Sequence, residues 1–224
     1  MKKVVFFDFD GTLASTFDIV SKAFGVVEDK YMHRKFTNED WGKVSGPNEE
    51  GIIERLVPDK KEAAEAFKEY VKDYERMHDE YLKDFIPGIR ELLVSLKSKG
   101  YRIFVLTGRS KETLFISLEK LDGFKYFEDF FRGSTKGMVK DKVMLKAFED
   151  LKICKDEVIY VGDTQEDIIQ CRSIGVDIIS VVYDNFATHD NIEEMNPGMV
   201  AHSPSEVEDL IVHNWFFVEN PAKI

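Results

Sequence analysis

The chain has 224 residues, enough for one large α/β domain or for a core domain with a modest insertion. It contains 31 Lys and Arg against 42 Asp and Glu. The resulting net charge of −11 disfavours binding to nucleic acid or to an anionic membrane, because either needs a basic surface. Hydrophobic residues make up 43% of the chain, which is enough for a core and excludes disorder as the main state.

The first apolar run, Val4–Phe7, ends at Asp8 and is too short to be the apolar segment of a signal peptide. No apolar stretch of the sequence approaches the length of a membrane-spanning helix. The two cysteines, Cys154 and Cys171, have neither CxxC spacing nor a histidine pattern beside them, which indicates neither a disulfide framework nor a zinc site. We therefore expect a cytoplasmic protein.

The apolar pattern predicts a parallel sheet with helices between its strands. Short β-branched and aromatic runs are continuous rather than alternating, as in strands buried on both faces. The predicted strands are Val4–Phe7, Ile103–Leu106, Val158–Val161 and Ile178–Val182, with a further one near Tyr126–Phe131. The predicted helices are Ile89–Lys99, Lys111–Leu121, Lys140–Leu151 and Glu166–Ile174. This alternation is typical of an α/β fold with a doubly wound parallel sheet.

The region from Ser15 to Asp84 interrupts this alternation, because it contains helical patterns and no convincing strand. Its clearest helix carries apolar residues three and four positions apart, the pattern of a helix packed on other helices. These residues are Ala63, Phe67, Tyr70, Tyr74, Met77 and Tyr81. We interpret residues 15–85 as a helical domain inserted after the first strand, and residues 1–14 and 86–224 as the α/β core domain.

Two acids, Asp8 and Asp10, directly follow the first strand in the stretch DFDGT. Residues two apart on a strand share a side, so both carboxylates face one way at the carboxyl end of the sheet, where ligands of open α/β sheets bind. Adjacent acids repel each other unless a cation or a shared proton relieves them. The pattern favours a hard cation such as Mg²⁺, with one acid left for chemistry. Alternatively, these residues form only a turn in which Gly11 reverses the chain, with no metal site.

A second acidic group, Asp163 and Asp167, follows the predicted strand Val158–Val161 in the stretch GDTQED. Acids in the first turn of a helix also cap its amides and stabilise its dipole, which explains them without a metal. A second acidic group at another strand end is nevertheless what metal coordination from two sides requires.

The third strand end carries Thr107 and Gly108, a hydroxyl followed by an accessible amide. This pair suits phosphate oxygens at the start of a helix, although Thr107 also suits a simple N-cap. Three lysines, Lys136, Lys140 and Lys142, stand near the start of a later predicted helix. Their position alone does not distinguish them from solvated lysines.

In chain order, the DFDGT stretch, Thr107, a lysine before a helix and the Asp163–Asp167 stretch resemble the motifs of the haloacid dehalogenase (HAD) superfamily of phosphohydrolases. The resemblance covers nearly the whole chain, and DFDGT is its most specific element. The helical insertion resembles the C1-type cap of that family. Phe85–Gly88 and the amphipathic helix after it resemble phosphoglycolate-phosphatase-like members. The resemblance implies a doubly wound, HAD-like core and a helical cap.

The resemblance also implies a role for each matching residue. Asp8 would be the nucleophile that forms an aspartyl-phosphate on attack at phosphorus. Asp10 would be the general acid that protonates the leaving oxygen and then the base that activates water. Thr107 and the Gly108 amide would hold phosphate oxygens.

Of the three lysines, Lys140 best matches the third motif, and Lys136 and Lys142 are alternatives, since the proline usual after that lysine is absent. The resemblance implies that Mg²⁺ is held by Asp8, the Asp10 carbonyl and Asp163, with Asp167 in or next to the coordination shell. If these four acids are all ionised, their negative charge exceeds the positive charge of Mg²⁺ and one lysine. A protonated Asp10 reduces that excess, so we predict a raised pKa for Asp10.

The presence of Asp10 also separates related chemistries. Haloacid dehalogenases lack this second acid, because a halide leaving group needs no proton. We therefore expect hydrolysis of a small organic phosphomonoester, of the phosphoglycolate or sugar-phosphate type. A β-phosphoglucomutase-like mutase and a phosphonatase are alternatives, the latter with a Schiff-base lysine among Lys22, Lys30, Lys35 and Lys43. A phosphorylation-dependent signalling or binding module is the non-enzymatic alternative, although receiver domains are shorter and have no cap.

The inserted region contains more acidic than basic residues, so we do not expect it to offer a basic surface for binding a polyanion. We expect a small phosphorylated metabolite as the partner, with no nucleic acid and no membrane, and a monomer or homodimer. The stretch Trp41–Asn48 is the best candidate for a specificity loop, with Lys43 or Asn48 reaching the substrate. Arg109 either contacts the substrate or is solvated.

Overall fold

The computed structural model describes residues 3–37, 46–137, 139–184 and 189–213. Six strands form one sheet: β1 (Val4–Phe7), β2 (Arg102–Leu106), β3 (Asp129–Phe131), β4 (Val158–Gly162), β5 (Asp177–Val181) and β6 (Val200–Ala201). All pairings are parallel, in the order β3-β2-β1-β4-β5-β6. The prediction of a parallel α/β sheet is confirmed, and the ends of four predicted strands lie within one residue of those observed.

The helices are α1 (Phe17–Val27), α2 (Glu49–Leu56), α3 (Lys60–Tyr81), α4 (Ile89–Ser98), α5 (Lys111–Lys120), α6 (Lys140–Leu151), α7 (Gln165–Ile174), α8 (Ile192–Met195) and α9 (Pro204–His213). A π-helical turn, Glu28–Met32, follows α1, and 3₁₀ turns cover Phe124–Tyr126 and Lys155–Glu157. Among the helices that the structure describes, none is both long and apolar enough to cross a membrane.

The central strand β1 is buried along its whole length, because helices cover both faces of the sheet. Val5 and Phe7 belong to the apolar core on one face, which includes the helices that follow β1. Val4 and Phe6 belong to the core on the other face, beside α6 and α7. On that face the ring of Phe6 stacks on Phe104 with centroids 5.1 Å apart. The continuous apolar run in the sequence reflects this burial on two sides.

Helices α1, α2 and α3, within residues 17–37 and 46–81, form the helical insert between β1 and α4. The side chain of Asp59 caps α3 by accepting hydrogen bonds from two backbone amides of the first turn. The fully buried face of α3 comprises Ala63, Ala66, Tyr70, Tyr74 and His78, while Phe67, Met77 and Tyr81 are only partly buried. The apolar stripe therefore lies slightly to one side of the predicted one, because α3 packs on both α1 and α5.

The predicted strand near Tyr126–Phe131 is shorter than expected and begins at Asp129. Tyr126 and Phe127 are buried in a 3₁₀ turn and the residue after it, so they reach the core without joining the sheet. Strand β6 contains two residues and is too short to leave a periodic pattern in the sequence. The two connections between the insert and the rest of the fold lie side by side, since the Ile86 amide donates to the Leu13 carbonyl at 2.9 Å.

Candidate active site

The carboxyl ends of β1, β2 and β4 meet at one edge of the sheet. In the strand register Phe7 lies beside Val105 on one side and beside Val161 on the other. The residues that follow these strands are therefore close to one another, and the backbone amide of Asp8 donates to the Val161 carbonyl at 2.8 Å. Three of the four sequence motifs converge here because parallel strands end at a common edge.

Three buried carboxylates form the acidic cluster at this edge: Asp8, Asp163 and Asp167. Each offers one oxygen atom, and these atoms all lie within 4.8 Å of one another. Among the described residues, Oδ1 of Asp8 and both carboxylate oxygens of Asp163 are buried without a hydrogen-bond partner. Buried acceptors without donors are costly unless a cation or another ligand satisfies them, so the cluster has the chemistry of a hard-cation site.

The ammonium group of Lys140 neutralises part of this charge. Its Nζ lies 3.0 Å from Oδ2 of Asp8 and 2.7 Å from Oδ1 of Asp167. Of the other two candidate lysines, Lys136 and Lys142 are both exposed. Among the three candidates, Lys140 is therefore the one that the structure brings to the acids.

Burial dominates the ionisation of the acidic cluster. It raises the pKa of Asp8 to about 7, although the neighbouring Lys140 opposes the shift. Burial also raises the pKa of Asp163 well above its usual range, and the charge of Asp8 adds to this effect. Burial alone would lower the pKa of Lys140, but Asp167 and Asp8 outweigh it and the net shift is upward. A divalent cation would favour the ionised carboxylates that burial disfavours.

Tyr160 completes the surroundings of Lys140, and sequence reasoning missed it. Its hydroxyl accepts a hydrogen bond from Nζ of Lys140 at 2.9 Å and lies 3.1 Å from the Leu106 carbonyl, to which it donates. Oδ2 of Asp167 accepts from the Thr164 hydroxyl at 2.7 Å, so both oxygens of Asp167 are engaged. The available signal was the tyrosine itself, because a buried phenol in an apolar strand needs a partner.

The carboxylate of Asp10 contacts Thr16 and Arg109 and is not part of the acidic cluster. Its Oδ1 accepts a short hydrogen bond from the hydroxyl of Thr16, and Nη1 of Arg109 lies 3.6 Å from the same oxygen. Burial raises the pKa of Asp10, and Arg109 and Thr16 only partly oppose this shift. The direction agrees with the prediction of a raised pKa for this residue.

Arg109, Asp10 and Glu49 form the arginine cluster. Arg109 is 3% exposed, which excludes the solvated alternative, and its guanidinium lies against the rings of Tyr74 and Phe9, 4.7 Å and 5.3 Å from their centroids. Its Nε is 3.5 Å from Oε1 of Glu49. Burial disfavours the charged guanidinium, but Tyr74, Asp10 and Glu49 outweigh it, so the net shift of the Arg109 pKa is upward.

Glu49 belongs to the first turn of α2, and sequence reasoning missed it as well. It is buried, and its two oxygens accept hydrogen bonds from the Ser110 amide at 2.6 Å and the Thr113 hydroxyl at 2.5 Å. Both donors lie at the start of α5, so a side chain of the insert bonds to a helix of the core. In the sequence Glu49 is indistinguishable from an ordinary acid in a first helical turn.

Thr107 and Gly108 directly follow β2, the strand that pairs with β1. Thr107 is fully buried, and its amide donates to the Phe131 carbonyl at 3.0 Å. Gly108 lines the cavity described below and lies directly against Gly133, where an added Cβ would be 2.0 Å from the Gly108 carbonyl oxygen. The loops after β2 and β3 therefore meet backbone to backbone.

A cavity of about 390 Å³ lies between the strand ends and the helical insert. Its polar side includes Asp8, Asp10, Gly108, Arg109, Arg132, Lys140, Asp163 and Asp167. Its apolar side is contributed by Val20, Phe24 and Ile52 of the insert. Lys43 and most of the predicted specificity loop lie outside the described residues, but Gly46, Pro47 and Asn48 do line the cavity. The carboxamide oxygen of Asn48 accepts from the Gly51 amide and so caps α2.

Comparison with known proteins places these features in one family. The model of the haloacid dehalogenase-like hydrolase family matches residues 5–181 of this chain. The pyrophosphatase PpaX of Halalkalibacterium halodurans is 26% identical over 209 residues, which cover 92% of this chain and 95% of that protein. The phosphorylated carbohydrates phosphatase of Thermotoga maritima is 27% identical over 216 residues, which cover 93% of this chain and 98% of that protein.

A solved structure described as a predicted phosphatase from Clostridium acetobutylicum has the same fold. It superposes with a TM-score of 0.76 at 24% sequence identity, and the match covers 94% of this chain and 98% of that chain.

Proposed function

The chain belongs to the haloacid dehalogenase-like hydrolase family, and we propose that it is a Mg²⁺-dependent phosphatase that hydrolyses a small organic phosphomonoester through an aspartyl-phosphate on Asp8. The family and the phosphatase names of its relatives make it a phosphohydrolase. The proposed substrate is of the phosphoglycolate or sugar-phosphate type, and the proposed location is the cytoplasm, as a monomer or homodimer.

The observation that carries the proposal is the unequal environment of the two oxygens of Asp8. Oδ2 lies 3.0 Å from the ammonium of Lys140, whereas Oδ1 has no partner within the described chain. One oxygen is thus held in place while the other can attack phosphorus. The attack forms the Asp8–phosphorus bond and breaks the bond from phosphorus to the leaving oxygen.

The acidic cluster fits a divalent cation, because the two unpartnered oxygens of Asp163 are hard, anionic ligands and lie beside the carboxylate of Asp8. We assign the ion to Asp8, the Asp10 carbonyl and Asp163. Both oxygens of Asp167 already accept hydrogen bonds, which favours a place for it behind these ligands. When bound, the cation supplies positive charge next to the phosphate oxygens.

Asp10 is the proposed proton donor. A carboxyl with a raised pKa retains a proton at higher pH, and it passes this proton to the leaving oxygen as the phosphorus–oxygen bond breaks. The resulting carboxylate then accepts a proton from the water that attacks the aspartyl-phosphate. Lys140 neutralises charge at Asp8, and the Thr107 hydroxyl with the Gly108 amide is proposed to bind phosphate oxygens.

The helical insert is proposed to be a cap, formed by residues 15–85, that covers the leaving group. Val20, Phe24 and Ile52 offer an apolar surface opposite the acidic cluster. Water exclusion on that side would favour transfer of the proton from Asp10 to the leaving oxygen over its loss to solvent. Lys43 remains a proposed substrate contact, and among the described lysines of the insert none lines the cavity.

Inorganic pyrophosphate is a second candidate substrate. A relative of nearly the same length is named a pyrophosphatase, and Arg132 adds a cation to the cavity beside Lys140. A second phosphate group would then occupy the side of the cavity that a sugar or glycolate would fill otherwise. Both substrates share the same nucleophile and proton donor.

The test is release of inorganic phosphate from a panel of phosphomonoesters and pyrophosphate, with Mg²⁺ and with EDTA. We expect Mg²⁺-dependent release that falls by about 10⁴-fold or more in Asp8→Asn, because the amide cannot act as the nucleophile. Asp156→Asn, the same change at an exposed aspartate, is the matched control. Multiple turnovers by Asp8→Asn at the rate of this control would refute the assignment of the nucleophile.

A further inference from the structure

Three charged side chains connect the helical insert to the proposed proton donor. Glu49 of α2, Arg109 after β2 and Asp10 after β1 are consecutive in space, with separations of 3.5 Å and 3.6 Å. Asp10 and Glu49 are both acids, and Arg109 lies between them as their shared counter-ion. The share of its charge that Arg109 directs to Asp10 therefore depends on whether Glu49 is docked.

Arg109 has little freedom to serve any other partner. Its guanidinium lies between the rings of Phe9 and Tyr74, and Nη1 is 3.4 Å from the hydroxyl oxygen of Ser117. Within the described chain, Nε and Nη2 are fully buried and make no hydrogen bond. A guanidinium enclosed in this way acts on the residues beside it. Because Arg109 also lines the cavity, its contact with a substrate stays a prediction.

Glu49 is fixed by the core rather than by its own helix. It accepts from the Ser110 amide and from the Thr113 hydroxyl, and Ser110 makes no side-chain cap of its own to α5. The carboxylate of Glu49 thus supplies the negative charge at the start of α5 that a capping residue supplies elsewhere.

The first turn of α2 makes a second contact with the core. The Asn48 amide donates to the Ser134 carbonyl at 3.0 Å, and a Cβ at Gly51 would lie 2.4 Å from the Thr135 carbonyl oxygen. These close approaches hold the turn at one position on the core. Glu49 can reach Arg109 only while the insert occupies that position.

We propose that Glu49 and Arg109 are positioning residues that couple docking of the helical insert to the placement of Asp10 at the leaving oxygen. This inference rests on the proposed phosphatase function. With Glu49 docked, as in this structure, Arg109 shares its charge between Glu49 and Asp10, at 3.5 Å and 3.6 Å, and its hold on the Asp10 carboxyl is weakened. When Glu49 is not docked, Arg109 has Asp10 as its remaining carboxylate partner in the cluster and holds it as an ion pair. Docking over a bound substrate thereby prepares the proton donor.

The experiment compares two substrates, one whose leaving group needs a proton and one whose leaving group does not. Glu49→Gln removes the charge of Glu49 without changing its size, and Glu54→Gln makes the same change at an exposed position of α2. We measure kcat and KM of both variants with an alkyl phosphate, glycerol phosphate, whose leaving oxygen needs a proton. We repeat the measurement with 4-nitrophenyl phosphate, whose phenolate leaves without one.

If the inference holds, Glu49→Gln lowers kcat for the alkyl phosphate by about 10-fold or more, because proton transfer is impaired. The same variant lowers kcat for the aryl phosphate by less than about 3-fold, because the nucleophile is untouched. Glu54→Gln changes neither value. In the Asp10→Asn background, Glu49→Gln has no further effect on the alkyl phosphate, since both changes act on one proton transfer.

Equal losses of kcat on both phosphates would overturn the coupling and leave Glu49 with a structural role. The coupling would also be overturned if Glu49→Gln lowered kcat for the alkyl phosphate further in the Asp10→Asn background. If Glu49→Gln does not fold, Thr113→Val decides, because it removes one hydrogen bond to Glu49 and should reproduce the selective loss more weakly. Absence of Mg²⁺-dependent hydrolysis of either ester by the unmodified protein would refute the proposed function and the inference with it.

Discussion

Two buried charged clusters face the same cavity, and they leave opposite kinds of atoms without partners. In the acidic cluster the buried atoms without a hydrogen bond in the described chain are acceptors, on Asp8 and Asp163. In the arginine cluster they are donors, on Arg109. In the first cluster Asp8 and Asp163 follow sheet strands and Asp167 lies in the first turn of α7, all within the core, whereas the second cluster needs Glu49 from the helical insert.

The difference indicates what each cluster requires. Unpartnered carboxylate oxygens require a cation, so the acidic cluster is complete only with a ligand. The guanidinium of Arg109 lies against two aromatic rings and within 3.6 Å of two carboxylates, so its charge is compensated by protein groups when the insert is docked, although Nε and Nη2 make no hydrogen bond in the described chain. In the proposed mechanism, chemistry at phosphorus therefore depends on a bound ion, and protonation of the leaving group depends on the position of a protein segment.

The comparison predicts the largest effect for Lys140→Met. This change leaves Asp8 and Asp167 without their ammonium partner and removes positive charge from the transition state. We expect kcat to fall by about 10²- to 10³-fold with both alkyl and aryl phosphates, because the nucleophile is affected in both reactions. Steady-state kinetics with Lys142→Met, an exposed lysine of the same helix, provides the control. A loss confined to alkyl phosphates would contradict this prediction, because it would link Lys140 to protonation of the leaving group rather than to the nucleophile.

Mg²⁺ should stabilise the folded protein through the acidic cluster alone. At about 1,000 times its Kd the ion adds about 4 kcal/mol to the free energy of unfolding, which thermal unfolding detects as a rise in Tm of several degrees. Asp163→Asn should remove most of the rise because it removes an unpartnered anionic ligand, and Glu49→Gln should retain it. An unchanged rise in Asp163→Asn would show that the ion binds elsewhere.

The arginine cluster should instead be sensitive to acid through His78. Its Nε2 lies 3.3 Å from the Ser117 hydroxyl that Arg109 also contacts, and burial lowers the pKa of His78 from 6.5 to about 4. The unfolded chain takes up this proton near pH 6.5 and the folded protein only near pH 4. The free energy of unfolding therefore falls as the pH drops through this window, by about 3 kcal/mol in all.

Chemical denaturation of the protein and of His78→Phe between pH 7 and 4 measures this contribution. Phenylalanine keeps the ring that contacts Tyr74 edge-on, with centroids 6.0 Å apart, but cannot take up a proton. The variant should lose less stability than the unmodified protein over this range. Parallel losses would mean that His78 does not titrate in this way.

The smallest effect is expected for Tyr160→Phe, at the border of the acidic cluster. The change removes one acceptor from Lys140 and one donor to the Leu106 carbonyl, and leaves the ring in place. We expect a loss of about 1 kcal/mol in the free energy of unfolding and a several-fold lower kcat, because Lys140 keeps its contacts with Asp8 and Asp167. A loss of kcat as large as that of Lys140→Met would indicate a direct role for the phenol in the reaction.

The acidic cluster was largely predictable from the sequence. For the arginine cluster the sequence indicated Asp10 and Arg109 as site residues, but neither Glu49 nor the contacts among the three. Asp8, Thr107 and Asp163 each follow a continuous apolar run, and the ends of parallel strands must meet at one edge. For the lysine, the sequence favoured Lys140 but left Lys136 and Lys142 as alternatives, and the fold places the Lys140 ammonium against the acids. Most elements of the core were predictable for the same reason, whereas β6, α8 and α9 were not predicted, and α1 and α2 were predicted only as helical patterns without bounds.

Glu49 and Tyr160 required three-dimensional contacts. The partners of Glu49 are more than sixty positions away along the chain, at Ser110 and Thr113, and no periodicity relates the two segments. Tyr160 was read as one more apolar strand residue, because nothing in the sequence shows what its hydroxyl meets. Residues whose function depends on docking between elements leave no local pattern.

The close approach of Gly108 and Gly133 limits how this pocket can be redesigned. Any side chain at residue 133 would meet the Gly108 carbonyl and push aside the loop that carries the proposed phosphate-binding amide. A library for altered substrate preference should therefore keep both glycines and vary the cavity from the opposite wall, at Val20 and Ile52, and at the exposed Arg132. Selection would then test new leaving groups while the proposed catalytic residues stay unchanged.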